Sequence, residues 1–175
     1  MGFAMRASAA GPAPAALEVE QYLHRNIPLS AAMGVRVKIA TPGRVELAAP
    51  LAPNINHQAT VFGGSASAVA MLSAWTLVHL GLRHEGIEAA TVIQRNAMRY
   101  DAPVLGDFTA VCTLADDSAW QRFVRTIERH GRGRITLHAH LLADGRQTAA
   151  FDGDFVASRD RGQTPGRDRF GIAPR

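Results

Sequence analysis

The run from Ser65 to Leu82 reads SASAVAMLSAWTLVHLGL and holds no charged residue. Every side of it is apolar or small, and a helix without a polar face must be buried over most of its surface. Ser65, Ser67, Ser73, Thr76 and His79 interrupt the run. It also falls short of the roughly 20 predominantly apolar residues of a comfortable membrane span. The segment therefore reads as a core helix, not a membrane anchor, and other elements must wrap it.

The flanking sequence supplies those elements. Before the helix, Val35, Val37 and Ile39 alternate with polar or small residues, Pro42-Gly43 marks a turn, and Val45 and Leu47 alternate again, which predicts a β-hairpin. Upstream of it, Leu17, Tyr22, Leu23 and Ile27 fit a short amphipathic lid or edge helix, ended by Pro28. After the core helix, Ala89 to Met98 reads as a strand, and Asp101-Ala102-Pro103 breaks it. Phe108, Ala110, Cys112 and Leu114 alternate in the next strand. Trp120, Phe123, Val124 and Ile127 have helical spacing behind Asp117 or Ser118 as a cap, with a bulged strand as the alternative. Ile135 to Leu141 alternates, and Asp144-Gly145 turns it into a last strand from Thr148 to Ala157. Strands joined by hairpins around one apolar helix predict an α+β fold with an antiparallel sheet.

The chain has 175 residues, is 47% hydrophobic and shows no internal repeat, so one domain at residues 17–158 is expected. Residues 1–16, rich in Ala, Gly and Pro, read as a flexible leader; they lack the apolar run of a signal peptide. Residues 159–175 read as a basic flexible tail with five Arg. Such a tail suits solvent, or a polyanion such as a coenzyme A phosphate or an acidic carrier protein; nothing points to nucleic acid. Cys112 is the single cysteine, which excludes an internal disulfide and a multi-cysteine zinc site and agrees with a cytoplasmic setting.

Chemistry concentrates where a polar loop runs into the core helix, Asn54-Ile55-Asn56-His57-Gln58-Ala59-Thr60-Val61-Phe62-Gly63-Gly64-Ser65. Paired glycines there permit close approach of a backbone or a ligand, since neither carries a Cβ. The unpaired amides of the first helical turn would face that ligand, backed by the positive end of the helix dipole. Donors so placed suit the oxyanion that forms when water attacks a thioester carbonyl. A plain tight turn is the simpler reading of the glycines taken alone.

Several strings together resemble the thioesterase domain found at the C-terminus of YiiD-type proteins, a branch of the hot-dog superfamily. They are IPLSAAMGV from Ile27, the AP-N-N-H loop, T-VFGGS, SAW on the helix, VIQ followed by Y-AP-GDF, and the closing F-G-FVA, in order from Ile27 to Val156. The combination NxNHxxTxFGGS is the most specific part. The resemblance implies a hot-dog fold, an antiparallel β-sheet wrapped around one long central helix. It further implies subunits that pair, with acyl-thioester sites between them, and no cofactor. Against the branch with an N-x5-HGG pattern, Asn56 matches the asparagine and Gly63 and Gly64 the glycines, while Phe62 replaces the histidine. The helix acid of that branch falls on Met71, and the helix from Gly64 to Leu82 holds no Asp or Glu.

A base must then come from elsewhere. His57, in the loop, is the first candidate, since an imidazole can accept a proton from water, and Asn56 would orient water or the carbonyl. Either could instead hold its own loop by side-chain to backbone bonds. Gly63 and Gly64 complete the expected catalytic set. Thr60, Phe62, Ser65 and Ser73 are the expected substrate contacts, Ser65 capping or lining the mouth and Ser73 facing the acyl channel, unless Ser73 bonds its own helix. Asp101 and Asp107 flank the Pro103 break, where a neighbouring subunit could offer a carboxylate, although Asp107 after Gly106 fits turn chemistry. His138 and His140 share a strand face but lack a third ligand, so no metal site is expected. Trp75 and Trp120 read as core or subunit contacts.

The leading expectation is hydrolysis of acyl-coenzyme A or acyl-carrier-protein thioesters by a homodimer or dimer of dimers. A non-catalytic module that holds an acyl group or acyl carrier is the alternative. Dehydration chemistry would need an acidic partner for His79, and none is near it in sequence.

Overall fold

The computed structural model describes residues 14–159. Most of the expected leader, and all of the basic tail beyond Arg159, lie outside the described residues. Helix α1 spans Pro14–Asn26, so it begins ahead of residue 17, and Ala16 is buried. Pro28 does end α1, yet it also opens an unexpected short helix, α2 (Pro28–Ala32), at the first-turn position where its missing N–H costs nothing.

The hairpin forms as read, with β1 at Arg36–Thr41 and β2 at Arg44–Ala49. The central helix α3 spans Gly63–His84, starting at the glycines and not at Ser65. Strand β3 spans Ala90–Tyr100, two residues past the expected end, and β4 spans Phe108–Thr113. Residues Asp117–His130 are helix α4, not a bulged strand. Its cap is Asp116, not Asp117 or Ser118: the Asp116 carboxylate accepts from the backbone N–H groups of Ser118 and Ala119 at 2.8 and 3.0 Å. Strands β5 (Arg132–Ala143) and β6 (Arg146–Ser158) meet at the Asp144-Gly145 turn, both residues at positive φ.

The six strands form one antiparallel sheet in the order β1-β2-β4-β5-β6-β3. It curls around α3, whose Val69, Ala70, Ala74, Leu77 and Val78 are fully buried against Val45, Leu47, Ala110, Leu141, Phe151 and Phe155. Helix α3 is long and apolar enough to cross a membrane, yet the sheet encloses most of it. Cys112 lies in this core as expected, and burial pushes its thiol up to about 12. Trp120 is buried too; its ring lies on Gly81, where a Cβ would come within 2.5 Å of it, so α4 seats against α3 only because residue 81 is glycine.

The two sheet edges differ. On β1, Glu20 of α1 accepts from the Val37 N–H at 2.9 Å and pairs with Arg36 at 2.8 Å, and the register shifts between Val37 and Ile39. A covered strand resists further pairing; the bulge is common to both edges, since β3 shifts register between Ile93 and Arg95. On β3 the Trp75 indole N–H takes the Thr91 carbonyl at 3.0 Å, while Val92 is 60% exposed and the strand beyond it is mostly open.

Candidate active site

The loop before α3 is held by two asparagines. Asn54 is buried, and its Nδ2 donates to the carbonyls of Met33 and Pro50 at 2.8 and 2.7 Å, while its backbone carbonyl accepts from the Phe62 N–H at 2.7 Å. Asn56 is engaged on every polar atom of its side chain. Its Oδ1 accepts from the Gln58 and Thr60 N–H groups at 2.8 and 3.2 Å, and its Nδ2 donates to Thr60 Oγ1 at 2.8 Å and, weakly, to the Val61 carbonyl at 3.4 Å. This is the Asx-turn alternative of the sequence reading. Thr60 is thereby part of the same clamp. The clamp presents His57 at the exposed tip of the loop, where its ring makes no hydrogen bond among the described residues.

Phe62 stands at the N-cap position of α3 with extended backbone and no side-chain cap. Ser65, in the third helical position, does not cap the helix as expected. The amides of the first turn thus have no intrahelical acceptor and no capping oxygen. Neither Gly63 nor Gly64 is among the positive-φ residues, so close approach, not backbone conformation, explains Gly64, whereas a Cβ at Gly63 would make ordinary contact. The Phe62 ring occupies the space of a Gly64 Cβ, which would fall 2.3 Å from its Cε1. Tyr100 lies over Gly63, with its phenol 3.4 Å from the corresponding Cβ position and its hydroxyl donating to the Gly63 carbonyl at 2.7 Å.

Beside these glycines opens a cleft of about 340 Å³ lined by Val61, Gly63, Ala66, Leu141, Ala149 and the segment Tyr100 to Val104. The Val61 N–H donates to the Val104 carbonyl at 2.9 Å, which joins two walls. The walls are mainly apolar, with Tyr100 and Asp101 as the polar side chains among them. At the rim, a hydrogen bond from Arg99 at 2.8 Å holds the Asp101 carboxyl below its usual range, so Asp101 is ionised and paired. Burial raises the Tyr100 phenol above its usual range and keeps it a donor.

Of the residues expected to form the site, Gly63 alone lines the cleft, with Gly64, Phe62 and Ser65 beside it on the first turn. Ser73 is fully buried and donates to the Ala70 carbonyl at 2.8 Å, so it faces its own helix and not the cleft. Asp107 accepts from the Leu51 N–H at 2.9 Å and is loop chemistry. His138 contacts Asp152 on the exposed face of the sheet, and among the described residues no group of three metal-ligating side chains occurs. His79 is stacked between Tyr22 and Trp75 at centroid distances of 4.9 and 5.1 Å; burial, then Arg83, lowers its pKa. Tyr100 escaped the sequence reading as a site residue, although it stands in the Y-AP string. Its position just before the Asp101-Ala102-Pro103 break was the available signal.

A six-stranded antiparallel sheet around one long helix, with an open apolar cleft at that helix's uncapped N-terminus, defines a hot-dog protein of the thioesterase-like class. The chain belongs to the family described as "Putative thioesterase (yiiD_Cterm)", which matches residues 16–159. Among solved structures it is similar to a protein of unknown function from Chlorobaculum tepidum, at 29% identity over 83% of this chain and 95% of that one, with a TM-score of 0.79. It is also similar to a "putative thioesterase" from Shewanella oneidensis, at 28% identity over 82% and 97% of the two chains, with a TM-score of 0.74. A Pseudomonas aeruginosa protein, 21% identical over 84% and 97% with a TM-score of 0.71, shares the fold.

Proposed function

We propose that the protein hydrolyses acyl thioesters carried on a pantetheine thiol, of coenzyme A or of an acyl carrier protein, by direct attack of water. The observation that carries this reading is the uncapped first turn of α3, Gly63-Gly64-Ser65, opening beside an apolar cleft. In the reaction the thioester carbonyl sits against the amides of Gly63 and Gly64. Water adds to the carbon, the oxyanion is held by those amides, and the thiol leaves as the carbonyl re-forms. Fixed donors of this kind are worth roughly 3–4 kcal/mol each in known hydrolases. His57 acts as general base, its ring accepting the proton of the attacking water. Asn56 holds the loop that carries His57. Phe62, 56% exposed beside Gly64, offers an apolar surface to the pantetheine arm, with Ser65 and Thr60 at the mouth. No cofactor takes part.

The same reading pairs two copies edge to edge along β3, because β1 is covered and β3 is open; a dimer of dimers would build on that pair. The setting is cytoplasmic.

One observation favours a second reading, a module that binds an acyl group without turnover: α3 carries no Asp or Glu, and Met71 stands where related enzymes hold an acid. A thiol-release assay over acyl-coenzyme A and acyl-carrier substrates decides between them. Turnover that collapses in His57→Ala, with fold intact, supports hydrolysis. Acyl ligands that raise the melting temperature without thiol release establish the binding module.

A further inference from the structure

We infer that the cleft beneath Tyr100 holds the acyl tail and selects for one of short to medium length, an inference that rests on the thioester reading above. The floor of the cleft is a row of register partners: Tyr100 on β3 faces Ala149 on β6, which faces Leu141 on β5. Residues opposite one another share a face of the sheet, and buried Leu141 and Ala149 mark it as the inner one. The middle residue of the row is the smallest. An alanine between a tyrosine and a leucine leaves the space that a larger side chain would fill. Across from it α3 presents another alanine, Ala66, one turn beyond Phe62. Both alanines line the cleft, and a larger side chain at either would take space from it.

Its position and chemistry select the occupant. Gly63 lies in its wall, so a carbonyl held at the first turn of α3 directs its substituent into the cleft. Val61, Ala66, Val104, Leu141 and Ala149 offer no partner to a polar group, and the two polar side chains of the lining are already engaged, Asp101 by Arg99 and the Tyr100 hydroxyl by the Gly63 carbonyl, which favours a hydrocarbon. Its size sets the limit. About 340 Å³ lies near the lower bound of about 300 Å³ for ligand pockets. A liquid water occupies about 30 Å³, a methylene is of similar size, and the open cleft therefore covers roughly the first ten carbons of a tail; carbons beyond those leave its mouth and gain no further contact.

The competing route runs over the other face of α3, past Gly64, Ser67, Ala68 and Met71, which the sheet does not fully cover. A tail on that route would be bounded by Met71 and indifferent to Ala149.

The test compares straight-chain acyl-coenzyme A substrates from acetyl to palmitoyl on the wild type, Ala149→Leu and Met71→Phe. The expected result is a wild-type kcat/KM that rises to its maximum at or below decanoyl and gains nothing further by palmitoyl. Ala149→Leu shifts the peak to shorter chains while butyryl turnover persists, and Met71→Phe leaves it in place. A peak that moves in Met71→Phe and not in Ala149→Leu overturns the assignment. Where Ala149→Leu does not fold by circular dichroism, Ala149→Val and Ala66→Val take its place. Absence of turnover on every substrate sinks the hydrolase reading alone. The cleft is then tested with S-alkyl-coenzyme A thioethers: a rise in Tm that grows with chain length and is lost in Ala149→Leu supports it, and a rise indifferent to that variant overturns it.

Discussion

The Tyr100 hydroxyl donates to the Gly63 carbonyl at 2.7 Å and so ties the last residue of β3 to the first residue of α3. That one bond sets the distance between the end of the sheet and the amides on which the proposed chemistry depends. It also spans the mouth of the cleft.

Tyr100→Phe removes the tether and keeps the ring. A net hydrogen bond is worth about 0.5–1.5 kcal/mol, so stability falls by that order. Turnover falls by up to about tenfold, the equivalent of about 1.4 kcal/mol, with kcat affected more than KM. A pH dependence follows as well. Burial raises the phenol pKa in the folded state, so the stability tied to the neutral phenol is complete below the unfolded value near 10 and declines as pH rises through the folded value. Urea unfolding from pH 8 to pH 11 should show wild-type stability declining at the alkaline end, with a shallower slope in Tyr100→Phe. Equal slopes would remove Tyr100 from the account.

Asn56→Ala strips four hydrogen bonds from the loop that carries His57. Because the site is partly solvated, the expected loss of stability is about 1–2 kcal/mol rather than the full sum. Asn56→Asp keeps the two acceptor bonds to Gln58 and Thr60 and should recover part of it. Amide exchange of Gln58 and Thr60, accelerated in the Ala variant and partly restored in the Asp variant, is the measurement. Unchanged exchange in both would mean that the loop is held by its neighbours.

Dimerisation through β3 predicts that charge placed on that strand breaks it. The double variant Val92→Lys with Ala97→Lys adds two cations to a strand that already carries Arg95 and Arg99. Light scattering should show the wild type as a dimer or larger and the variant shifted to monomer at micromolar concentration. A variant that stays paired would place the interface elsewhere.

Cys112 is buried and its thiol is pushed up to about 12. The native protein should therefore give no reaction with a disulfide reagent at pH 8 and react once unfolded in urea. A stoichiometric native reaction would mean that β4 opens readily.

Gly81→Ala places a methyl 2.5 Å from the Trp120 ring. Overpacking costs typically about 1–3 kcal/mol, against a gain of about 1 kcal/mol from replacing glycine inside a helix. The net expectation is a destabilised protein by thermal unfolding with altered Trp fluorescence. A stabilised variant would show that α4 shifts freely on α3.

Local pattern was enough for the elements. The uncharged run from Ser65 to Leu82 could only be a buried helix, the alternation around Val45 and Phe108 could only be half-buried strands, and Asp144-Gly145 could only be a turn, since each signal lies within a few residues. Composition and the glycine pair likewise located the loop-helix junction. The tertiary structure decided everything that depends on residues far apart in the chain. Tyr100 and Gly63 are 37 positions apart, and no periodicity relates them. The cleft arises from Ala66, Leu141 and Ala149 on three separate elements, and its size comes from the register of β3, β6 and β5, which sequence alone does not print. Ser73 shows the converse. Its helical spacing was legible, but its rotation into the core was set by which face of α3 the sheet covers. Asn56 was legible as a polar loop residue, and only the folded loop shows all its hydrogen-bonding atoms already spent.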